Sequence, residues 1–137
     1  MKLSTRSRYG TRMMVDLAQH YDKGPVQIGS IAKRQDISVK YLEQLIIPLK
    51  KVALVESVRG PRGGHMLSRP PEKITVGEIV KALEGGIDLI ACIEEIDSCE
   101  RSSHCLMRKV WEETSMAMYA ILNSKKLTDI FDRDKLP

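Results

Sequence analysis

Apolar residues recur at helical spacing within the stretch from Asp36 to Ser68. The first part of this stretch, from Ser38 onward, predicts a helix. Ser38 is placed to cap it, because its hydroxyl can accept a hydrogen bond from a free backbone N–H of the first turn. We expect Pro48 to kink or end the helix, since proline lacks a backbone donor and clashes with the preceding turn. One face is apolar, and the intervening positions are largely polar. The apolar face consists of Tyr41, Leu42, Leu45, Ile46 and Leu49.

Two short apolar runs follow this helix and flank a glycine-rich turn. The first predicts a strand near Val52 to Val58, and residues 65–68 can pair back as the return strand. Between them, the sequence Gly-Pro-Arg-Gly-Gly at 60–64 is a turn by composition. A helix followed by a hairpin with a basic tip is typical of a winged helix-turn-helix. In that fold the helix enters the major groove and the wing contacts the neighbouring backbone or minor groove.

The residues before this stretch predict two further helices. Residues 1–20 form the first, capped by Ser4 or Thr5. A short second helix contains Ile31 and ends near Asp36, a residue that tolerates a left-handed conformation. The buried stripe of the first helix is predicted to be Tyr9, Met13, Met14, Leu17 and Ala18.

The residues after the wing predict an extended joint at 69–71 and a helix from Thr75 to Glu84. Thr75 and Glu78 have the spacing of a capping box. A long helix is predicted from Leu106 to about Asn123, and a short amphipathic piece follows it. A helix this apolar at the end of a small domain needs another surface to bury it. A second copy of the chain is the favoured partner, because two-fold dimers match two-fold DNA sites. Its apolar side is predicted to be Met107, Val110, Trp111, Thr114, Met118, Ile121 and Leu122.

These patterns predict a mostly α fold with a small β-wing. We divide the chain into a winged helix-turn-helix DNA-binding domain at 1–86, a cysteine-containing loop at 87–105, and a dimerisation helix with its tail at 106–137.

The two halves of the chain carry opposite charge. Residues 1–70 hold 13 Lys and Arg against 5 Asp and Glu, a net charge of +8, whereas residues 71–137 hold 9 and 13, a net of −4. A basic half joined to an acidic half favours contact between the first half and a polyanion. The alternative is a basic surface that is merely solvated.

Other classes of function find less support. Met1 to Arg12 lacks the apolar core of a signal peptide, and no apolar run approaches the roughly 20 residues that span a bilayer, so we expect a cytoplasmic protein without membrane contact. We find no Ser–His–acid spacing, phosphate loop or HExxH motif, so we do not expect an enzyme. A winged helix that serves as a protein-interaction module remains an alternative.

Double-stranded DNA is the predicted partner, and its phosphates require Lys and Arg. Base recognition needs side chains near the start of the recognition helix, where Gln can pair with adenine and Glu can accept from cytosine. Arg62 at the wing tip can reach a narrow minor groove. Tyr41 can instead belong to the core. The predicted DNA-binding residues are Arg6, Arg8, Ser38, Lys40, Tyr41, Glu43, Gln44, Arg59 and Arg62, with Lys33, Arg34 and Lys51 as further phosphate candidates.

Cys92, Cys99 and Cys105 lie between two predicted helices. An odd number of cysteines in a reducing compartment argues for metal binding or thiol chemistry rather than for disulfides. Thiolates suit zinc or iron–sulfur clusters, but the gaps are wider than in a structural zinc site. A cluster that orders this loop would give a sensor two states. Three unligated cysteines are the plain alternative.

The chain resembles the IscR and NsrR type of winged-helix transcription regulators. The resemblance is carried by KLSTRSRYGTRMMVDLA near the start, by YLEQLIIPLKKVALVESVRGPRGGHMLSRPPEKITVGEIVKALEG, and by three cysteines before a long helix. It implies a homodimer built on that helix, and an iron–sulfur cluster on Cys92, Cys99 and Cys105. It further implies promoter binding that depends on the cluster, with Glu43 in sequence discrimination.

Two departures from the family pattern concern the cluster. The first cysteine gap is one residue longer than in IscR-like proteins, and Arg108 stands where those proteins carry a histidine ligand. Arg8 stands where NsrR-like proteins use a carboxylate of the partner chain. Arginine stays cationic and is no normal ligand. The fourth ligand is therefore unknown, and three cysteines with an exchangeable fourth position favour [4Fe–4S] over [2Fe–2S].

The predicted function is a cluster-dependent, sequence-specific transcription regulator. Repression is favoured, and activation is left open. Iron status, nitric oxide, oxygen and redox poise are all compatible signals. The alternative within the same class is a cluster-free regulator controlled by thiol oxidation or by a partner protein.

Overall fold

The computed structural model describes residues 3–86 and 104–131. Cys92 and Cys99, most of the predicted loop at 87–105, and the tail beyond 131 lie outside the described residues. Where it is described, the chain forms α1 (Thr5–Gln19), α2 (Ile28–Gln35), α3 (Val39–Lys51), β1 (Val55–Val58), β2 (Gly64–Leu67), α4 (Val76–Glu84), α5 (Arg108–Asn123) and α6 (Leu127–Ile130). Within those ranges, no helix has the length and apolar character that crossing a membrane requires.

Helix α1 contributes one side to the core and packs against α2, α3 and α4. Ser4 is its N-cap and accepts a hydrogen bond from the Ser7 N–H, as predicted. Four of the five predicted stripe residues are buried, and Tyr9 is partly buried at the edge. Gly10 is buried where α1 meets Leu83 of α4, and a Cβ at this position would clash with the leucine side chain. The glycine therefore allows the close approach of two core helices.

The turn between α2 and α3 is set by two local signals that the sequence predicted. Asp36 has φ of 54°, in the left-handed region, and ends α2. Ser38 begins α3, and its hydroxyl accepts a hydrogen bond from the Tyr41 N–H at 3.2 Å. Together they produce the predicted helix-turn-helix.

Pro48 lies inside α3, and the helix continues for three residues to Lys51. The helix therefore ends almost one turn later than the expected end at Pro48. Leu45 and Leu49, on either side of Pro48, are almost completely buried. Their packing outweighs one missing backbone hydrogen bond, since tertiary contacts supply most helical stability in proteins. The Leu54 N–H then donates to the Leu49 carbonyl at 2.9 Å and closes the helix.

The wing is an antiparallel hairpin in which Val55 pairs with Leu67 and Val58 with Gly64. Its first strand starts three residues later than Val52, because Ala53 has φ of 60° and cannot extend a strand. The Gly63 N–H donates to the Gly60 carbonyl at 2.9 Å, so Pro61 and Arg62 occupy the tip. The predicted winged helix is thus present.

The second strand of the wing is joined, close to the wing tip, to the segment that precedes α2. The Val26 N–H donates to the His65 carbonyl, and the His65 N–H donates to the Val26 carbonyl, both at 2.8 Å. Gly64 has φ of 154°, and a Cβ there would clash with the backbone of Val26. The glycine thus permits backbone to approach backbone at this point.

The chain reaches α4 through a proline joint. Pro70 is extended as predicted, but Pro71 to Lys73 form a turn of 3-10 helix with Pro71 buried. Proline fits this first helical position because its missing N–H is not needed there. Both halves of the predicted capping box at Thr75 and Glu78 are present, and Gly85 ends α4 with φ of 76°. Helix α4 packs against α1, α3 and α5.

Helix α5 buries little of itself within the described chain. Ser115 is its one buried residue, and Val110, Trp111 and Ile121 from the predicted apolar side are 44%, 37% and 64% exposed. The predicted amphipathic piece forms the short helix α6. Leu127, 1% exposed, packs in the core and Phe131 is partly buried, but Ile130 is 51% exposed.

Candidate DNA-binding surface and cysteine region

The first two turns of α3 present a polar, exposed face. Ser38, Lys40, Glu43 and Gln44 are all exposed. Positions three and four residues apart share one side of a helix, so Lys40, Glu43 and Gln44 project together. The buried residues of α3 lie on its other side, namely Leu42, Leu45, Ile46 and Leu49. Lys40, Glu43 and Gln44 are therefore brought together on one exposed side, and Ser38, whose hydroxyl caps the helix, lies at its start.

Tyr41 occupies a different environment from its neighbours. It is partly buried, and its ring meets the ring of Tyr9 edge to face, with centroids 5.9 Å apart. The Arg12 guanidinium lies 5.4 Å from the Tyr9 ring centroid and donates to the Gln35 carbonyl at the end of α2. Tyr41 thus helps to hold the start of α3 against α1, and contact with DNA remains a prediction for it.

The two predicted arginines of α1 line different cavities. Arg6 is exposed and borders a cleft of about 350 Å³ together with Gln44 of α3. Arg8 borders a separate, largely apolar groove of about 480 Å³ together with Leu122 and Ile130. Of the two, Arg6 is the one that shares a cavity with the polar face of α3.

Arg59 and Arg62 lie at the far end of the wing, and both are exposed. Neither guanidinium forms an ion pair with another residue of 3–86 or 104–131. Gly63 follows Arg62, and a Cβ on that glycine would collide with the Val58 carbonyl, so the tight turn requires glycine there. The wing therefore carries two exposed cations to its tip.

Arg34, a further phosphate candidate, is engaged inside the chain. Its Nε and Nη2 atoms donate to the two carboxylate oxygens of Asp16 at 2.9 and 2.7 Å, and Gln35 donates to the same carboxylate. Burial raises the pKa of Asp16, but these hydrogen bonds outweigh it, so the pKa lies below its ordinary value of 3.8. Asp16 is buried and the Arg34 side chain is 39% exposed, so the pair links α1 to α2 at the edge of the core.

His65 joins the second wing strand to the first strand and to Val26, a role that its isolated position in the sequence did not reveal. Its Nδ1 atom lies 2.8 Å from the Ser57 Oγ on the opposite strand. Burial and the nearby Lys50 lower the pKa of His65, and the Glu43 carboxylate opposes them. Lys50 and Glu43 belong to α3, so His65 lies within electrostatic range of that helix.

Cys105 immediately precedes the last turn before α5 and is partly exposed. Its carbonyl accepts a hydrogen bond from the Arg108 N–H at 3.3 Å. The Arg108 side chain forms an ion pair with Glu112 at 2.9 Å. Among residues 3–86 and 104–131, no three His, Cys, Asp or Glu residues converge as metal ligands, and the other two cysteines lie outside those ranges.

The comparisons with known proteins agree with this geometry. Residues 3–133 match the model of the Rrf2 family, described as an iron-dependent transcriptional regulator. The protein rrf2 of Nitratidesulfovibrio vulgaris is 48% identical over 130 residues, which cover 95% of this chain and 87% of that protein.

Two solved structures share the fold along nearly their whole length. The T. potens IscR structure has a TM-score of 0.77 and 38% identity, over 100% of this chain and 93% of that one. CymR, described as the global cysteine regulator of B. subtilis, has a TM-score of 0.76 and 37% identity, over 95% of both chains. The IscR-type winged-helix resemblance is therefore confirmed, and the chain belongs to the Rrf2 family of transcriptional regulators.

Proposed function

We propose that this regulator binds its operator as a homodimer, in a manner controlled by an iron–sulfur cluster on Cys92, Cys99 and Cys105. The observation that carries the proposal is a continuous set of packed helices. Cys105 lies three residues before the first residue of α5, α5 packs against α4, and α4 packs against α3. A change at the cysteine therefore has a physical route to the recognition helix.

The start of α5 fits an anionic cluster. Met107, the N-cap residue, makes no side-chain hydrogen bond to the first turn. The first N–H groups of this 16-residue helix thus give a partial positive charge close to Cys105. When bound, the cluster supplies an oxidation-sensitive centre that joins three cysteines.

The fourth ligand of such a cluster is left open. Arg108 is paired with Glu112, and Arg8 is a cation beside the Tyr9 ring. Neither arginine can act as a ligand in its ordinary charge state. A [4Fe–4S] cluster with an exchangeable fourth position is the form that we favour, and repression is the outcome that we favour for the bound regulator.

In this proposal α3 contacts the base edges in the major groove, and the wing contacts the neighbouring DNA backbone or minor groove. Glu43 and Gln44 face base edges, while Lys40, Arg59, Arg62 and Arg6 neutralise phosphates or enter the minor groove. Each phosphate contact releases counterions, so the affinity should fall steeply with salt. A protein-interaction module would bind duplex DNA weakly and without this salt dependence.

The decisive experiment combines cluster analysis with DNA binding. Protein purified without oxygen is analysed by visible absorption, Mössbauer spectra, and iron and sulfide counts. Its affinity for a duplex selected from a random-sequence library is measured by fluorescence anisotropy at several salt concentrations. The matched protein carries Cys92→Ala, Cys99→Ala and Cys105→Ala.

We expect iron and sulfide in the wild-type protein, none in the triple variant, and different DNA affinities for the two. Protein that lacks iron and sulfide after reconstitution, together with unchanged affinity in the triple variant, would refute cluster control. Lys125→Ala, an exposed cation between α5 and α6, is the control for a general effect of charge.

Thiol oxidation without a cluster is the second candidate mechanism. The partly exposed Cys105 favours it, because an accessible thiol can meet an oxidant. This mechanism predicts a colourless protein whose DNA affinity changes with peroxide and recovers with a thiol reductant. Thiol titration before and after peroxide, on the same sample as the iron count, distinguishes the two mechanisms.

A further inference from the structure

Ile47 is the most exposed large apolar side chain in residues 3–86. It is 66% exposed, whereas Val52 and Leu3, the next in order, are 49% and 47% exposed. It lies in α3, where its neighbours Ile46 and Leu49 are buried. An isoleucine this exposed contributes little buried surface to the hydrophobic core of this chain.

The position of Ile47 on the helix places it on the polar face. It follows Glu43 by four residues and Gln44 by three, so it lies one turn further along the same side. Lys40 and Lys51 are seven residues before it and four after it on that side. Leu45 and Leu49 lie two residues away in either direction, which directs them to the other side of the helix. Ile47 is therefore an apolar residue at the centre of the predicted DNA-reading surface.

The wing does not cover this side chain. His65 of β2 interacts electrostatically with Glu43 and Lys50 of α3. Ile47 is nevertheless two-thirds exposed with the wing in place. Its surface thus remains open between the groups that we assign to bases and those that we assign to phosphates.

The major groove offers one apolar group to such a side chain, the C5-methyl group of thymine. We infer that Ile47 is a specificity-determining residue that packs on a thymine methyl. The inference rests on the proposed placement of α3 in the major groove. Ile47 lies about 4.5 Å along the helix from Gln44 and about 6 Å from Glu43, at 1.5 Å per residue. That distance is one to two base steps, so the thymine adjoins the base pairs that Glu43 and Gln44 contact.

The test removes the methyl group from the DNA and the side chain from the protein. A duplex is selected with the wild-type protein from a random-sequence library, and each thymine of the selected site is replaced in turn by deoxyuridine, which lacks only the methyl. Anisotropy titrations compare the wild-type protein with Ile47→Ala. Val52→Ala is the matched control, because Val52 is an exposed apolar residue at the end of the same helix but off the polar face.

We expect one deoxyuridine replacement to weaken wild-type binding about fourfold, which is the effect of one buried methyl group. Ile47→Ala should bind the thymine duplex at least fourfold more weakly and should no longer distinguish thymine from deoxyuridine there. Val52→Ala should retain the wild-type distinction. Because Ile47 is exposed, its replacement should leave the fold intact, which circular dichroism checks.

Three results would overturn the inference: a selected site without thymine, a wild-type affinity that no replacement changes, or equal losses for Ile47→Ala on both duplexes. In each of these cases salt-dependent, sequence-selective binding would persist, and the proposed function would stand. Absence of selective DNA binding by the wild-type protein would overturn both.

Discussion

Helices α3 and α5 are similar in length and in their apolar content, yet they use their apolar residues differently. Helix α3 buries Leu42, Leu45, Ile46 and Leu49 in the core and exposes a mostly polar face. Helix α5 buries Ser115 and leaves Val110, Trp111 and Ile121 in solvent. The apolar stripe of α3 belongs to the core of its own chain, whereas most of the apolar side of α5 is exposed among the described residues.

The attachment of α5 explains this difference. Its C-terminal end is fixed to α4, because Thr75 donates to the Asn123 side chain at 2.6 Å and the Val76 N–H donates to the Lys125 carbonyl at 2.8 Å. Gly77 allows the close approach, since a Cβ there would lie 2.9 Å from the Asn123 Cα. At the other end, Leu106 is 94% exposed. A second copy of the chain is the cover that we propose for this side.

The largest expected effect is the loss of a core residue from α3. Leu49→Ala should lower the free energy of unfolding by about 3 kcal/mol, because Leu49 is 0% exposed and its truncation leaves a cavity. Ile47→Ala, two residues earlier in the same helix, should change it by less than about 0.5 kcal/mol. Urea denaturation followed by circular dichroism measures both, and equal losses would contradict the assignment of the two faces.

A charge on the apolar side of α5 should weaken the proposed dimer rather than the fold. Ile121→Glu should raise the dimer dissociation constant about thirtyfold, equivalent to about 2 kcal/mol, because it places a carboxylate in an apolar interface. Met116→Glu is the matched control, since Met116 is 70% exposed but lies off the predicted apolar side. Sedimentation velocity across a concentration series reports the association state. A monomeric wild-type protein, or equal weakening in both variants, would refute the proposed interface.

The smallest effect concerns Glu84 in α4, the helix that contacts both α3 and α5. Its Oε1 accepts hydrogen bonds from the Ser4 N–H at 3.0 Å, the Ser4 hydroxyl at 2.7 Å and the Ser7 hydroxyl at 2.5 Å. Burial raises the pKa of Glu84, but these hydrogen bonds lower it by more than burial raises it. The pKa therefore falls below its ordinary value of 4.5. Glu84→Gln should cost about 1 kcal/mol at pH 7.

The pH dependence gives this prediction its sign. A carboxyl with a lowered pKa in the folded state stabilises the fold above the ordinary pKa, and the stabilisation disappears as the pH falls through the folded value. The stability difference between the wild-type protein and Glu84→Gln should therefore be constant from pH 7 to about pH 5 and should shrink below 4.5. Urea denaturation at pH 7, 5 and 3.5 tests this, and a difference that grows in acid would exclude the assigned contacts.

The sequence predicted those features that depend on residues close together in the chain. Ser38, Asp36 and the Thr75–Glu78 pair act within three or four residues of themselves, so their caps follow from residue type and spacing. The wing tip followed for the same reason. Family resemblance then supplied the expectation of a regulator, which the Rrf2 match confirms.

Features that depend on distant residues were not predictable in this way. Asp16 and Arg34 are 18 residues apart, Ser7 and Glu84 are 77 apart, and only folding brings each pair together. The continuation of α3 through Pro48 likewise depends on the packing around Leu49. Ile47 was overlooked because it adjoins buried Ile46, although its spacing from Glu43 and Gln44 already placed it on the polar face. The cluster ligands and the division into domains remain predictions.

The two hydrogen bonds between Val26 and His65 have a consequence for the entropy of DNA binding. They anchor the second wing strand, next to the turn, before DNA arrives, so binding has to immobilise only the tip at 60–63 and the side chains there. Ordering each flexible side chain on binding costs about 0.5 to 1.5 kcal/mol. A hairpin anchored in advance loses less conformational freedom than a free loop would, and more of the attraction between Arg62 and DNA is retained as affinity.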